Sequence, residues 1–182
     1  MVLTILRPLS AGYFFILAFG EKHCISLLFS CQQKAQDIVS NESNQSSIEK
    51  INKTEDQWSS ELSDLEFRVL RKAGTEQSFT GDLWDHKADG VYTCRGCQLP
   101  LFDSNTKFKS GTGWPSYYEP INSTNVEEDT DYHLGYARTE VHCARCDGHL
   151  GHVFKDGPKP TGLRYCINSV SMDFEARETT KP

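Results

Sequence analysis

Two C-x-x-C pairs constrain the fold of this chain more than any other feature of its sequence. Cys94-Arg95-Gly96-Cys97 and Cys143-Ala144-Arg145-Cys146 each place two thiols around a tight turn, and Gly96 relieves the first turn. One zinc ion takes four thiolates in a tetrahedral shell, and each C-x-x-C pair supplies two of them. The spacing therefore predicts a structural zinc that holds two distant hairpins together. Two disulfides, or a redox C-x-x-C, are the alternatives.

The segments around these pairs are short and rich in aromatic and β-branched residues. Gly, Pro, Asn and Asp fill the gaps between them, and no long second helix interrupts the series. This pattern is typical of an antiparallel all-β domain. The expected strand segments cover residues 90–94, 106–109, 133–136, 140–143, 152–154 and 163–170.

One short helix is expected before the first strand, between Trp58 and Ala73. Its apolar residues recur at helical spacing, and Ser60 or Ser63 would cap its first turn. The helix introduces a domain that we assign to residues 58–182. The apolar positions are Leu62, Leu65, Val69 and Leu70.

Residues 1–57 divide into a leader at 1–31 and a linker at 32–57. The linker is rich in Gln, Asn, Ser, Glu and Lys, a composition that predicts disorder. The leader has two apolar patches, each too short to span a bilayer, and Arg7 precedes the first. The residues up to Cys31 also resemble a lipoprotein box. An exported or lipid-anchored protein is one interpretation of the leader; an unstructured tail on a cytoplasmic or organellar protein is the other.

The formal net charge of the chain is -6. Binding of phosphate backbones needs a basic surface, so the charge argues against a nucleic-acid partner. The length suits one catalytic domain with an appendage, and we expect a monomer.

The segment from Arg164 to Asn168 has strand character and contains a cysteine outside the C-x-x-C pairs. Alternate residues of a strand share a face, so Arg164, Cys166 and Asn168 would point the same way. A lone cysteine in a strand is more often a buried core residue. The guanidinium and the amide on its face favour a reactive thiol instead, because a nearby positive charge lowers the pKa of a thiol.

Two further motifs carry candidate functional residues. His149 and His152 lie in a glycine-punctuated segment, where they could handle protons, bind a second metal or be ordinary surface residues; their usual pKa favours proton handling. Trp114 follows Gly111-Thr112-Gly113 in a tight loop, where its indole is either core or a platform for a ligand.

These motifs together resemble the methionine-R-sulfoxide reductases of the B class, from Leu62 to Phe174. Five blocks match in order: the two C-x-x-C pairs, residues 110–116, residues 148–154 and residues 164–169. The resemblance implies two antiparallel sheets in a distorted barrel, with zinc on the side away from the active site. It also implies thiol-dependent reduction of methionine R-sulfoxide, free or in oxidised proteins, as a repair reaction.

The same resemblance implies a role for each candidate residue. Cys166 would be the nucleophile and would become a sulfenic acid. His149 and His152 would supply or relay protons, Arg164 would stabilise the thiolate, and Asn168 would orient the site. The apolar wall that receives the S-methyl group of the substrate would be Trp114. Zinc would be held by Cys94, Cys97, Cys143 and Cys146.

One departure from the family pattern concerns recycling of the enzyme. Many members have a resolving cysteine between the two glycines before Trp-Pro, and this chain has Thr112. The cysteines left as internal partners, Cys24 and Cys31, lie in the leader. We therefore expect an external thiol as reductant, either thioredoxin or glutathione with glutaredoxin.

The alternative function is a non-catalytic ligand-binding module on the same zinc-stapled β fold. Such a module would need an aromatic pocket but no nucleophile, and the combination of Cys166 with two histidines favours the enzyme.

Overall fold

The computed structural model describes residues 48–178 of the chain. Within them lie two helices, α1 (Glu55–Glu61) and α2 (Asp64–Lys72), and eight strands. The strands are β1 (Gly90–Cys94), β2 (Pro100–Asp103), β3 (Ser116–Tyr117), β4 (Val126–Asp131), β5 (Arg138–Cys143), β6 (His149–Phe154), β7 (Arg164–Ile167) and β8 (Met172–Ala176). No helix in this part of the chain is long and apolar enough to cross a membrane.

The strands form two antiparallel sheets, as predicted. One has the order β2-β1-β8, and the other has the order β3-β7-β6-β5-β4. The barrel is not closed, because none of the ladders among the described residues joins one sheet to the other. An all-β fold with a short N-terminal helical segment is confirmed.

Aromatic side chains from both sheets fill the space between them. Phe102 of β2 stacks on Tyr117 of β3 with ring centroids 4.4 Å apart, and Tyr92 of β1 meets the same tyrosine edge-on at 5.2 Å. All three side chains are fully buried. Burial of rings this large, together with the offset and edge contacts, accounts for much of the attraction between the sheets.

The expected single helix is in fact two, and the break has a local cause. Leu62 ends α1 in an extended conformation, and Ser63 begins α2 with a capping box in which its amide donates to the Glu66 carboxylate at 2.8 Å. A serine that caps a new helix offers the backbone an alternative to continuing the old one. The prediction that Ser63 caps a helix is confirmed.

The helical segment braces the C-x-x-C turns. Arg71 donates to the carbonyl of Cys146 at 2.8 Å, and its guanidinium lies 5.0 Å from the ring of the buried Trp58. The amide of Ile51 donates to the carbonyl of Arg145 at 2.7 Å. Ordered contacts with the core therefore begin upstream of residue 58, where the sequence placed the start of the domain.

Several predicted strands are correct and two are wrong. The expected segments at 90–94, 140–143 and 152–154 fall in β1, β5 and β6, and segment 163–170 contains β7. Segment 133–136 is a turn, and 106–109 contributes only an isolated bridge. The acidic strand β4 was not predicted, because most of its side chains face solvent at the edge of the sheet, where charges protect against aggregation.

The predicted leader at 1–31 and most of the linker at 32–57 lie outside the described residues, as do Cys24 and Cys31. These assignments stay predictions.

Candidate active site

Cys166 lies in β7 at the centre of a row of residues that crosses the larger sheet. Its cross-strand neighbours are His152 in β6 and Ser116 in β3, and His152 in turn pairs with Glu140 in β5. Directly paired residues of antiparallel strands point to the same face. The register therefore places an imidazole beside the thiol, although the two residues are 14 positions apart in the sequence.

A small pocket of about 110 Å³ opens onto the Cys166 thiol. Three of the expected site residues, Trp114, His152 and Asn168, line it together with Cys166. None of the four C-x-x-C cysteines is among the described residues that line it. The remaining lining residues are Thr75, Arg138, Gly151 and Phe154.

The Trp114 loop depends on two glycines with positive φ. Gly111 and Gly113 have φ of 79° and 87°, a conformation that other residues adopt at a cost. Between them, the Thr112 hydroxyl lies 3.9 Å from the Cys166 sulfur and 2.9 Å from the Ser110 hydroxyl. The residue in the place of the resolving cysteine therefore touches the Cys166 thiol.

Arg164 is positioned by two neighbours. Its guanidinium donates two hydrogen bonds of 2.9 Å to the Asp156 carboxylate and lies 4.4 Å from the ring of Phe154. The sequence led us to expect that this charge lowers the pKa of Cys166. Its effect has that sign, but burial is stronger and raises the pKa of the Cys166 thiol above its ordinary value of 9.0, with the hydrogen bond from Thr112 and the charge of Arg164 opposing.

His152 has one carboxylate partner, Asp131 at the end of β4. The Nε2–H of His152 donates to Asp131 at 2.8 Å, since a carboxylate only accepts. Asp131 also pairs with Arg138, which lines the pocket. Burial lowers the pKa of His152 below its ordinary value of 6.5, against the raising effect of Asp131, so the imidazole is mainly neutral at pH 7.

His149 is close to the site but does not line the pocket that we describe. Its Nδ1 donates to Glu140 at 2.5 Å, and its ring centroid lies 5.5 Å from that of His152. Its Nε2 is buried and has no hydrogen-bond partner among residues 48–178. The geometry thus makes His152 the neighbour of the thiol and places His149 behind it.

Asn168 is fixed by backbone groups on both sides. Its amide nitrogen donates to the carbonyl of Leu150 at 3.0 Å, and its oxygen accepts from the amide of Glu76 at 3.0 Å. The side chain is buried, so these bonds hold it as part of the pocket wall. The two hydrogen bonds join Asn168 to the segments that contain Glu76 and Leu150.

Glu76 is a buried residue of the site that the sequence did not reveal. Its carboxylate accepts from the amides of Ser169 and Val170 at 2.7 and 2.9 Å, and its carbonyl accepts from the Trp114 indole at 3.3 Å. Glu76 therefore ties the indole wall to the turn after β7. A glutamate just after a Gly-Thr pair is the only sequence signal, and by itself it is weak.

The four C-x-x-C cysteines come together at the ends of β1 and β5. The Cys94 and Cys146 sulfurs are 3.6 Å apart, and all four sulfurs lie within 4.8 Å of one another. Zinc with sulfurs at about 2.3 Å needs tetrahedral edges of about 3.8 Å, so the cluster fits such an ion and is too open for disulfides. Hydrogen bonds among the sulfurs, led by those of Cys143, raise the pKa of Cys94 and lower that of Cys97.

Comparison with known proteins identifies the family of this fold and site. The SelR domain model matches residues 62–176. Proteins named peptide methionine sulfoxide reductase MsrB are similar to this chain in Thiobacillus denitrificans (57% identical over 126 residues, 69% of this chain and 96% of the relative) and Acinetobacter baylyi (54% over 129 residues, 71% and 93%). A third, from Pseudomonas putida, is 55% identical over 131 residues, 72% of this chain and 98% of the relative. From residue 62 onward, this chain belongs to the SelR domain family, the methionine sulfoxide reductases of the B class.

Proposed function

We propose that this chain reduces methionine R-sulfoxide to methionine with Cys166 as the nucleophile. The observation that carries the proposal is the pocket in which Cys166 lies beside His152 and the Trp114 indole. Family membership supports the activity, and the pocket supports the assignment of roles. A binding module without a nucleophile is not favoured, because nothing in such a module would require a thiol at this place.

The reaction begins with the Cys166 thiolate. Its sulfur attacks the sulfoxide sulfur and forms an S–S bond to it while the sulfoxide oxygen takes up a proton. The oxygen then moves from the substrate sulfur to the Cys166 sulfur, so the S–O bond of the substrate and the new S–S bond both break and methionine leaves. The oxygen remains on Cys166 as a sulfenic acid, so the substrate sulfur gains the two electrons that the cysteine sulfur loses. The charge of Arg164 favours the thiolate against the burial that opposes it.

The proton comes from the protonated form of His152, because the single N–H of the neutral ring is donated to Asp131. His152 is held by Asp131, so its ring orientation is fixed before substrate binds. His149, held by Glu140 and in contact with the His152 ring, is placed to relay a proton to it. The Trp114 indole offers an apolar surface to the S-methyl group. An indole and a proton donor around one pyramidal sulfur can distinguish the two epimers.

We assign one structural zinc ion to the four-cysteine cluster. Four thiolates leave no open position on the metal, so it supplies folding energy and no chemistry at the substrate. The turns that hold it end β1 and β5 in different sheets, so the ion would link the two sheets.

For recycling, we propose direct reduction of the sulfenic acid by an external thiol. Thr112 occupies the place of a resolving cysteine and has no thiol to offer, which supports thioredoxin, or glutathione with glutaredoxin, as the reductant. The leader remains the basis for proposing export or lipid anchoring. N-terminal sequencing of the native protein tests that proposal, and an intact Met1 on soluble cytosolic protein would refute it.

The test of the reaction is an assay on the two separated sulfoxide epimers with dithiothreitol as reductant. Cys166→Ser should abolish turnover of the R epimer and leave the metal content and the fold unchanged, because Cys166 is outside the metal cluster. Activity that survives in Cys166→Ser, or equal wild-type activity on both epimers, would contradict the proposal.

A further inference from the structure

One carboxylate oxygen of the site is shared between His152 and an arginine. Asp131 Oδ2 accepts from His152 Nε2 at 2.8 Å, and it also accepts from a terminal nitrogen of the Arg138 guanidinium. The other oxygen, Oδ1, accepts from the His133 amide at 2.6 Å. Both oxygens of Asp131 are therefore engaged, and His152 does not have its oxygen to itself.

The ion pair of Asp131 with Arg138 is held in place and largely shielded from water. The two residues are the last pair of the β4–β5 ladder, and their side chains are 15% and 16% exposed. Within residues 48–178, Arg138 pairs with no other carboxylate, and its Nε is buried without a hydrogen-bond partner. Charges shielded in this way act more strongly on their neighbours than exposed charges do.

Asp131 and Arg138 act on His152 in opposite directions. A carboxylate beside an imidazole stabilises its protonated form, and a guanidinium destabilises it. Burial is the largest cause that lowers the pKa of His152, the hydrogen bond to Asp131 raises it, and the charge of Arg138 lowers it again. Because Arg138 also binds Oδ2, it weakens the attraction between that oxygen and the ring.

Other ionisable groups face His152, but Arg138 differs from them in sharing its acceptor. Glu140 accepts from His149 Nδ1 at 2.5 Å, and Arg164 donates two hydrogen bonds to another carboxylate. In the described part of the chain, neither of them binds the oxygen that His152 uses. The ionisable groups that face the His152 ring are Asp131 from β4, Arg138 and Glu140 from β5, His149 from β6, and Arg164 and Cys166 from β7.

The proposed reaction needs two forms that are scarce at neutral pH. His152 must be protonated although its pKa is below 6.5, and Cys166 must be a thiolate although its pKa is above 9.0. The fraction of molecules that have both forms is constant between the two pKa values and falls on either side. That constant fraction increases when the pKa of His152 rises, so the charges around Asp131 affect the rate directly.

We propose that Arg138 is a positioning residue that competes with His152 for Asp131 Oδ2 and thereby limits how much of His152 is protonated. This inference rests on the proposed function and adds to it a control on the proton donor. Asp131 favours the protonated ring, and Arg138 opposes that preference. Their balance sets the pH range over which the enzyme works.

The experiment measures the titration of His152 and the pH profile of kcat/KM on the same proteins. The test variants are Arg138→Gln, Asp131→Asn and the two combined. The control is Arg177→Gln, which removes the same charge from another arginine–aspartate pair, the one with Asp103 at 2.7 Å. NMR of histidine-labelled protein follows His152, whose signal is assigned with His152→Gln. The substrate is N-acetyl-methionine R-sulfoxide, with dithiothreitol as reductant.

We expect the pKa of His152 to rise in Arg138→Gln, to fall in Asp131→Asn and to stay unchanged in Arg177→Gln. The lower limb of the kcat/KM profile follows His152, so it should move in the same directions. In Arg138→Gln the proton concentration at its midpoint should change about threefold. The upper limb follows Cys166 and should move less. Arg138→Gln should shift His152 less in the combined variant than alone, because the shared oxygen has lost its charge.

Three outcomes would overturn the role of Arg138. One is an unchanged or lowered pKa of His152 in Arg138→Gln. Another is an equal shift with and without the charge of Asp131, which would mean that Arg138 does not act through the shared oxygen. The third is the same shift in Arg177→Gln, which would indicate a general effect of charge.

Melting curves check that each variant is folded. Should Arg138→Gln not fold, Asp131→Asn tests the same oxygen, and a pKa of His152 that does not fall there also overturns the proposal. Arg138→Lys keeps the charge and should titrate close to the wild type. A wild type that is inactive on the R epimer would refute the proposed function instead, and the NMR titration would still test the competition for Oδ2.

Discussion

Replacing Thr112 with cysteine should convert the recycling of this enzyme from external to internal. The Thr112 hydroxyl lies 3.9 Å from the Cys166 sulfur, and a disulfide needs about 2.05 Å, so the two atoms must approach by about 2 Å. The loop can supply that movement, because it is bounded by Gly111 and Gly113, and the space where a Cβ of Gly111 would lie is empty to 4 Å. The sulfur of Thr112→Cys would attack the Cys166 sulfenic acid and release water.

The size of the effect follows from the length of chain that the bond would close. Positions 112 and 166 are 54 apart in sequence. Loop-closure entropy for such a length gives about 4 kcal/mol of stabilisation in the oxidised form, less any strain. For a domain of this size that corresponds to a rise in melting temperature on the order of 10 °C. The reduced variant should melt close to the wild type.

The assay oxidises each protein with one equivalent of methionine R-sulfoxide and then records its intact mass and its free thiols after denaturation. Cys24→Ser and Cys31→Ser are included in every protein, so that neither leader cysteine can act as a partner. With Thr112 present we expect the gain of one oxygen and the loss of one thiol. In Thr112→Cys we expect the loss of two thiols and no added oxygen, and Thr112→Ser should behave as the wild type.

Two results would refute this reasoning. A sulfenic acid that persists in Thr112→Cys would mean that the loop does not bring the two sulfurs together. An internal disulfide to Cys166 in the protein with Thr112 would mean that a cysteine of the metal cluster acts as the resolver, and direct reduction would be wrong.

Four further predictions test the metal cluster and the site. Cys94→Ser should lose the metal and lower the melting temperature. A metal-free variant that melts at the wild-type temperature would show that the metal does not stabilise the fold. The rate of Cys166 alkylation by iodoacetamide should keep rising above pH 9, because burial raises the pKa of this thiol. Arg164→Ala should lower the alkylation rate at pH 8, because the charge of Arg164 favours the thiolate. Faster alkylation in that variant would contradict the assigned charge effect. Hydrogen bonds from the His133 amide and His152 lower the pKa of Asp131 from 3.8. The ionised Asp131 carboxylate therefore stabilises the folded protein at neutral pH, and this stabilisation disappears as the pH falls below 3.8. When the free energy of unfolding is measured against pH in acid, Asp131→Asn should lose this part of the pH dependence. Glu76→Gln should lower the free energy of unfolding in urea by about 1–3 kcal/mol. It should also raise KM more than it lowers kcat, because it disturbs the segment that holds the Trp114 indole. A variant with wild-type KM would show that Glu76 is only structural.

The sequence alone was sufficient for the metal cluster and for the family. Each C-x-x-C pair is local, because one tight turn brings its two thiols together whatever the rest of the chain does. The pattern from Arg164 to Asn168 is also local. Side chains alternate between the two faces of a strand, so the Cys166 side chain points away from those of Tyr165 and Ile167. Motifs of this kind can be interpreted without knowing which strands pair.

Tertiary structure decided which residues surround the thiol. The sequence treated His149 and His152 alike, and only the register of β6 against β7 makes His152 the neighbour of Cys166. The register of two strands depends on how distant segments pair and on which face of the sheet is buried in the core. A short motif holds no information about either. For the same reason the strand β4 escaped prediction: its stability comes from a partner strand, while its own composition is that of a loop.

The buried supports of the site are the part that no local pattern could have supplied. Glu76 reaches Ser169 across 93 positions, and Asp131 reaches His152 across 21. The net pKa of Cys166 was also decided by the fold: sequence proximity gave the sign of the Arg164 effect, but the burial that outweighs it is set by all the segments that cover the thiol. Charge and spacing are written in the sequence, whereas desolvation and long-range hydrogen bonds exist only once the chain has packed.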